Sequence, residues 1–356
     1  MRKLMLVCMM AVLGMGAWGA PRQSVKKASP ARRAAVAKKA TPARKPAKTA
    51  AKKAPPGPVQ TPFRKTPYVG AIAADARTGK ILFRDRADAL ARPASVTKLM
   101  TLLLVMEDVK AGKYSLDAAV EATADAYKSE PSWVGIKVGE KMSVRDLCMA
   151  LMVESANDAA IVLGVHSAGS FDAFVARMNA RAAELGMKNT KYFNPNRLPP
   201  NASKRYPWKS FNVSTARDQV RLAQTLVKMP EVLSLTSIKT CDLIKTKDGF
   251  RVSVTRRANE PIRETAVAAG EKLVKQMRNH NNVMVKDARK VFNPDGKEAV
   301  DGLKTGYIDD GGSSVVLTGA RKGKRAIVVV LGSASSKERD DHARRLLVDA
   351  LGSMAW

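Results

Sequence analysis

The chain is poor in the residues that most often mark a reaction at first sight. It has 3 histidines and 3 cysteines in 356 residues. His166, His280 and His342 stand far apart and in no metal-ligand spacing, which leaves them as structural or surface residues. Cys8 lies inside an early apolar run, too far forward for a lipidation cysteine. Cys148 and Cys241 are then the only pair, too few for a disulfide framework, although export would permit one bridge between them. Cys148 sits in an apolar helical pattern, where a buried free thiol fits equally well. Aromatic residues make up 5%, which argues against a carbohydrate groove lined with rings. No glycine-rich phosphate loop follows a strand. Nothing in the spacing supports a Ser-His-Asp triad, and no metal or organic cofactor is expected.

Acidic residues are missing altogether before Asp75. Residues 1–20 read as a signal peptide: Arg2 and Lys3, an apolar run from Leu4 to Trp18, then small residues Ala17, Gly19 and Ala20. The run is shorter than the roughly 20 residues a membrane span needs, so a retained anchor is the weaker alternative. Residues 21–66 are rich in Lys, Ala and Pro and hold 14 basic residues. Such a segment repels itself and has little apolar surface to bury, so it reads as a disordered basic tail. Its charge suits a polyanion, meaning anionic cell-wall polymer or a membrane surface outside the inner membrane; nucleic acid conflicts with an export signal. A plain solvated spacer is the alternative. The whole chain carries +30, and removing the 16 basic residues of the signal and tail from 62 leaves 46 against 32 acidic, or +14.

What remains, residues 67–356, is long enough for a sizeable core. Tyr68–Ala74 and Lys80–Arg84 read as strands. Helical spacing runs from Ser95 through Val109, over Ser143–Val153, Phe171–Leu185, Thr215–Met229 and Glu338–Leu351. Ser314–Ala320 and Arg325–Gly332 flank Arg321-Lys322-Gly323-Lys324, a hairpin signal. Strands at both ends with helices between predict one α+β domain, with the end strands in a shared, mostly antiparallel sheet.

Three short motifs carry chemistry in this frame. Ser95-Val96-Thr97-Lys98 opens the first long apolar helix. A serine hydroxyl is a weak nucleophile and needs a base, and positions i and i+3 share a helix face. Lys98 is then the candidate base, and the Ser95 amide a candidate oxyanion donor. The same spacing in Ser24-Val25-Lys26-Lys27 has no apolar helix behind it and is chance. Ser155-Ala156-Asn157 falls between two helical patterns, on a loop where a hydroxyl can relay a proton to a leaving amine. Ser210-Phe211-Asn212 also fits Ser-x-Asn, but Ser155 has the helix-edge setting. Lys304-Thr305-Gly306 occurs once, on a strand expected to edge the cleft. Lys304 supplies positive potential, Thr305 can hold a terminal carboxylate, Gly306 admits a close backbone approach, and the Tyr307 amide is the second oxyanion candidate.

In this order the three motifs are those of penicillin-binding proteins and serine β-lactamases. Residues 68–351 resemble the serine D-alanyl-D-alanine carboxypeptidases and endopeptidases, the low-molecular-weight penicillin-binding proteins of peptidase family S11. The resembling stretches are Arg92–Met100, Ser155–Ala160, Leu185–Thr190 and Asp301–Gly306. The resemblance implies a penicillin-binding-protein/β-lactamase-like serine transferase fold, with an antiparallel sheet, packed helices and a helical subdomain. It implies a Ser95 acyl-enzyme, Lys98 as general base, Ser155 and Asn157 as the second wall, and Lys304 and Thr305 as substrate-binding residues. It also implies Arg339 as the grip on the terminal carboxylate, peptidoglycan peptides ending in D-Ala-D-Ala as substrate, and acylation by β-lactam antibiotics. The chain departs from the family in three places. Tyr307 stands where many carboxypeptidases have histidine, and Arg197 stands where glycine is frequent, so a loop by the cleft is expected to differ. The further β domain and amphipathic helix of typical carboxypeptidases look absent. Carboxypeptidase is the main reading and endopeptidase the alternative. A β-lactamase is weaker, because Glu184 and Asn189 lie five apart within a helical pattern rather than four apart on a loop. An inactive polyanion-binding scaffold is weaker again.

Overall fold

The structure is a computed structural model and describes residues 67–124, 131–196, 211–257, 261–285 and 300–354. The signal and tail readings lie outside the described residues, as do Arg197 and Ser210. The described residues all belong to one compact unit.

Its centre is a five-stranded sheet in the order β2-β1-β10-β9-β8. The strands are β1 (Gly70–Asp75), β2 (Ile81–Asp85), β8 (Val300–Ile308), β9 (Gly312–Arg321) and β10 (Lys324–Ser333). Every pairing is antiparallel. β10 is apolar at almost every position because both of its faces are covered. Ile327, Val329 and Leu331 enter one core with the helical region. Ala326, Val328 and Val330 enter the other, under Ala343, Leu347 and Leu351 of α8 (Ser336–Ser353). Among the described residues the first strand, β1, lies beside one from near the end, β10.

The helical region supplies the opposite side. It contains α1 (Lys98–Lys110), α2 (Val144–Met149), α3 (Asn157–Ala168), α4 (Phe171–Glu184), α5 (Ala216–Leu226) and α6 (Pro230–Thr236). Hydroxyl N-caps start several of them. Ser143, Ser170, Thr215 and Ser335 each accept the amide of the residue three further on, meeting a donor that the helix itself leaves unpaired. Near its C-terminal end α1 is tied to α3 and α4 through Asp108. The side chain of Asp108 is buried and accepts two bonds from Arg177, both at 2.6 Å, and one from Ser167 at 2.6 Å. Those donors hold its carboxyl well below the usual carboxylate range.

Two small sheets accompany the main sheet among the described residues. β3 (Ala119–Glu121) pairs with β4 (Lys141–Ser143). β5 (Ile238–Lys245), β6 (Phe250–Arg257) and β7 (Lys272–Arg278) form a three-stranded sheet in the order β6-β5-β7, which the sequence patterns do not anticipate. One short helix, α7 (Asn282–Val285), follows β7. Among the described residues no single helix is long and apolar enough to cross a membrane.

Candidate active site

Ser95 lies in a 3-10 turn, Ala94–Thr97, and α1 proper begins at Lys98. The expectation that Ser95 opens an α-helix is corrected by one turn, and the correction tightens the pair. In 3-10 geometry residues i and i+3 eclipse. Lys98 Nζ accordingly donates to Ser95 Oγ at 3.0 Å. The lysine is 0% exposed, and it also donates to Asn157 Oδ1 at 2.7 Å and toward Ser155 Oγ at 3.4 Å. One amine thus joins Ser95, Ser155 and Asn157, residues up to 62 positions apart in sequence.

Ser155 reaches this point through an irregular helix end. The expected helix over Ser143–Val153 is α2 followed by a wider π-helical turn, Ala150–Glu154. It stops because Ser155 is left-handed at φ 61°, an uncommon place for a residue with a β-carbon and one often associated with function. The Ala156 amide then reaches back to the Ala150 carbonyl at 3.1 Å. α3 starts at once with Asn157.

Strand β8 forms the other wall and is an edge of the main sheet. A β-carbon at Gly306 would stand 2.6 Å from the Pro93 carbonyl oxygen and 3.0 Å from the Ser95 amide nitrogen. The Ala94–Thr97 turn thus makes a close approach at this glycine. Lys304 is buried and its ammonium donates to the Thr305 carbonyl at 3.1 Å. Tyr307 is 49% exposed and donates its hydroxyl to Asp309 at 2.8 Å. Arg339, in the first turn of α8, is buried and bonds Asp340 through Nε at 2.8 Å.

A cleft of about 280 Å³ opens here. Ser95, Ser155, Thr305, Gly306, Tyr307 and Arg339 line it, while Lys98, Asn157 and Lys304 are not among its lining residues. Ser132, His280, Asn282 and Ser336 line it too, and no motif marked them. His280, expected to be structural or on the surface, is exposed and lines the cleft. His166 packs on Tyr114 with ring centres 4.5 Å apart, and His342 on Tyr68 at 5.3 Å. Among the described residues no group of His, Cys, Asp or Glu is arranged to hold a metal ion. Residues 65–270 match the family described as D-alanyl-D-alanine carboxypeptidase, peptidase S11.

The chain belongs to that family. It is 28% identical over 278 residues to D-alanyl-D-alanine carboxypeptidase DacF of Bacillus subtilis, covering 78% of this chain and 60% of the relative. It is 35% identical over 176 residues to a D-alanyl-D-alanine endopeptidase of Pseudomonas aeruginosa, covering 49% of this chain and 52% of the relative. The crystal structure of D-alanyl-D-alanine carboxypeptidase DacD from Francisella tularensis superposes with a TM-score of 0.67 at 28% identity, over 84% of this chain and 74% of that one. The chain thus spans about 60% of the length of DacF.

Two further positions hold the site of this S11 chain in shape. Asn212, set aside in the sequence as part of a second Ser-x-Asn, is buried beside the Ala94–Thr97 turn. Its amide group donates to Thr97 Oγ1 at 3.0 Å and to the Asn194 carbonyl at 3.1 Å, while its oxygen accepts the Phe193 amide at 2.7 Å. Asp158 is fully buried, and burial raises its carboxyl above the usual carboxylate range against the opposing pull of four backbone amides. Cys148 and Cys241 are both buried and free, so the disulfide option is not taken. Burial pushes the Cys148 thiol up to about 12. The β-lactamase option loses its glutamate: Glu184 ends α4 paired to Arg181 at 2.7 Å, and neither it nor Asn189 lines the cleft. Asn189 also lies past α4, not within a helix as its pattern suggested.

Proposed function

We propose that the protein is a serine-type D-alanyl-D-alanine carboxypeptidase that trims peptidoglycan stem peptides through an acyl-enzyme on Ser95. The observation that carries the reading is the 3.0 Å contact from the buried Lys98 amine to Ser95 Oγ at the cleft floor. In the proposed step Lys98, in its unprotonated form, takes the hydroxyl proton as Ser95 Oγ attacks the carbonyl carbon of the scissile peptide bond. The amides of Ser95 and Tyr307 receive the developing oxyanion. Ser155 passes the proton to the departing nitrogen, the C–N bond breaks, and D-alanine leaves. Water then attacks the ester and restores Ser95. Asn157 orients the Lys98 amine and forms the second wall with Ser155. Lys304 and Thr305 bind the substrate, with Arg339 for its terminal carboxylate, and Gly306 keeps β8 against the nucleophile turn. The site needs no cofactor for these steps.

The proposed substrate is a peptidoglycan peptide ending in D-Ala-D-Ala, and β-lactam antibiotics are proposed to acylate the same serine. The expected signal and the 14 basic residues of the tail support work outside the inner membrane, in the periplasm or at the cell wall, with anionic wall polymer or membrane surface as the tail's partner. Endopeptidase cleavage of crosslinks is the second reading, favoured by the 35% identity to the Pseudomonas aeruginosa endopeptidase.

Intact mass after brief benzylpenicillin exposure tests the proposal, with Ser95→Ala beside wild type. The expected result is one drug adduct on wild type and none on the variant. No adduct on folded wild type, with the penicillin left intact, overturns it. Defined muropeptides then separate the two bonds: release of free D-alanine supports carboxypeptidase action, and scission of dimers supports the endopeptidase reading.

A further inference from the structure

Asp158 follows Asn157 directly and is 0% exposed. A carboxylate so placed is costly unless its lone pairs are met. Acid near a helix start is commonplace, because it faces the positive end of the helix dipole. What the dipole does not explain is the source of the donors. Oδ2 accepts the amides of Val134 at 3.1 Å, Gly135 at 2.9 Å and Ile136 at 3.1 Å, all from a separate segment. Oδ1 accepts the amide of Ala159 at 2.9 Å and a longer bond from Val134 at 3.3 Å.

The same segment is gripped from two other sides. The Asn157 amide donates to the Ser132 carbonyl at 2.7 Å, and Lys275 Nζ donates to the Trp133 carbonyl at 3.4 Å. Gly135, at φ 87°, makes the turn that lets successive amides converge on one oxygen. Ser132, at the head of this segment, lines the cleft beside Ser95 and Ser155. A buried carboxyl group is therefore used to fix a stretch of backbone whose first residue lines the cleft.

We propose that Asp158 is a positioning residue: its carboxylate holds Ser132–Ile136 as a fixed rim of the cleft, and Ser132 on that rim contacts the peptide chain of the substrate. The inference rests on the acyl-transfer reading of Ser95. A small β-lactam needs only the centre around Ser95, whereas an extended peptide also meets the rim. Loosening the rim then costs peptide turnover more than penicillin acylation.

The experiment compares full-length wild type, Asp158→Asn and Gly135→Ala. Asparagine keeps the size of the side chain but turns N–H groups toward amide donors. Gly135→Ala disturbs the same segment without touching the carboxylate. Its β-carbon would meet nothing within 4 Å, so the side chain fits and only the positive φ opposes it. Three quantities are read: hydrogen exchange of residues 131–137, the benzylpenicillin acylation rate, and kcat/KM on a pentapeptide ending in D-Ala-D-Ala. Both variants are expected to exchange faster at 131–137, and to lose about tenfold more activity on the peptide than on penicillin. Unchanged exchange overturns the proposal, and so does faster exchange with equal losses on the two substrates, which a purely structural role would give. If Asp158→Asn does not fold, Gly135→Ala decides alone. A wild type that takes up no penicillin removes the Ser95 reading and this inference together, and it shows before any variant is compared.

Discussion

Asn212 makes hydrogen bonds to both sides of the seam between the nucleophile turn and the 193–194 backbone. Removing its carboxamide strands Thr97 Oγ1 and the Phe193 amide in a buried place. Asn212→Ala is therefore expected to lose about 2 kcal/mol of stability. It should also slow benzylpenicillin acylation of the folded protein about 10- to 100-fold, since small displacements of a nucleophile are expensive. Urea melts and adduct formation followed by mass spectrometry check both numbers, and unchanged acylation would restrict Asn212 to a structural part. The residue also shows how motif reading runs out. Ser-x-Asn at 155–157 and at 210–212 are equal as strings, and only the helix-edge setting separated them. The second asparagine proves to be placed under Thr97, a relation that joins positions 115 apart and has no local signature. The same holds for Ser132, His280, Asn282 and Ser336. Each comes from a turn or a helix start, and it is the topology that turns them to one cleft.

At the scale of elements, Asp108 is the knot among α1, α3 and α4. Asp108→Asn breaks a pair whose acid is buried and is expected to cost about 3 kcal/mol at pH 7. The sign with pH follows from the carboxyl's depressed value in the folded state. Its contribution is complete above the unfolded value near pH 4 and declines as pH falls below it. Urea midpoints at pH 7 and pH 3 should show the gap between wild type and variant narrowing at the lower pH; a constant gap would contradict the linkage. Elements with one clean period were legible in the sequence: β1, the β9–β10 hairpin, α4, α5 and α8 lie within a few residues of the expected spans. The β5–β7 sheet was not. Its outer strands carry Arg251, Arg256 and Arg257 or Lys272, Lys275 and Arg278, so their mixture of half-buried and exposed positions resembles a loop. Gly306 was legible as a place of close approach, but its contact with the Pro93–Val96 turn was not, because that neighbour is more than 200 residues earlier in the chain.

For the whole molecule, charge is the property with the clearest consequence. Residues 21–65 carry 14 positive charges and no negative one. Attraction of such a segment to anionic wall is screened over about 30 Å at 0.01 M salt and about 3 Å at 1 M. Deleting it is expected to weaken binding to isolated cell walls strongly in low salt and little in high salt, leaving benzylpenicillin acylation of the folded part unchanged. Sedimentation with walls, with and without the deletion, reads this directly, and equal binding at low salt would leave the tail a spacer.

The pairing of β1 with β10 has a consequence for how the protein is made. Gly70–Asp75 is flanked in the finished sheet by Ile81–Asp85 on one side and by Lys324–Ser333 on the other. One partner is synthesised within moments, but the other comes some 250 residues later. Until it emerges, one edge of β1 stays open, and Ala71 and Ala73 lack the α8 helix that covers them. Closure of the main sheet therefore waits for nearly the whole chain, a long-range pairing that is intrinsically slow to form. For a polypeptide expected to thread a translocation channel before it works, late closure is an advantage.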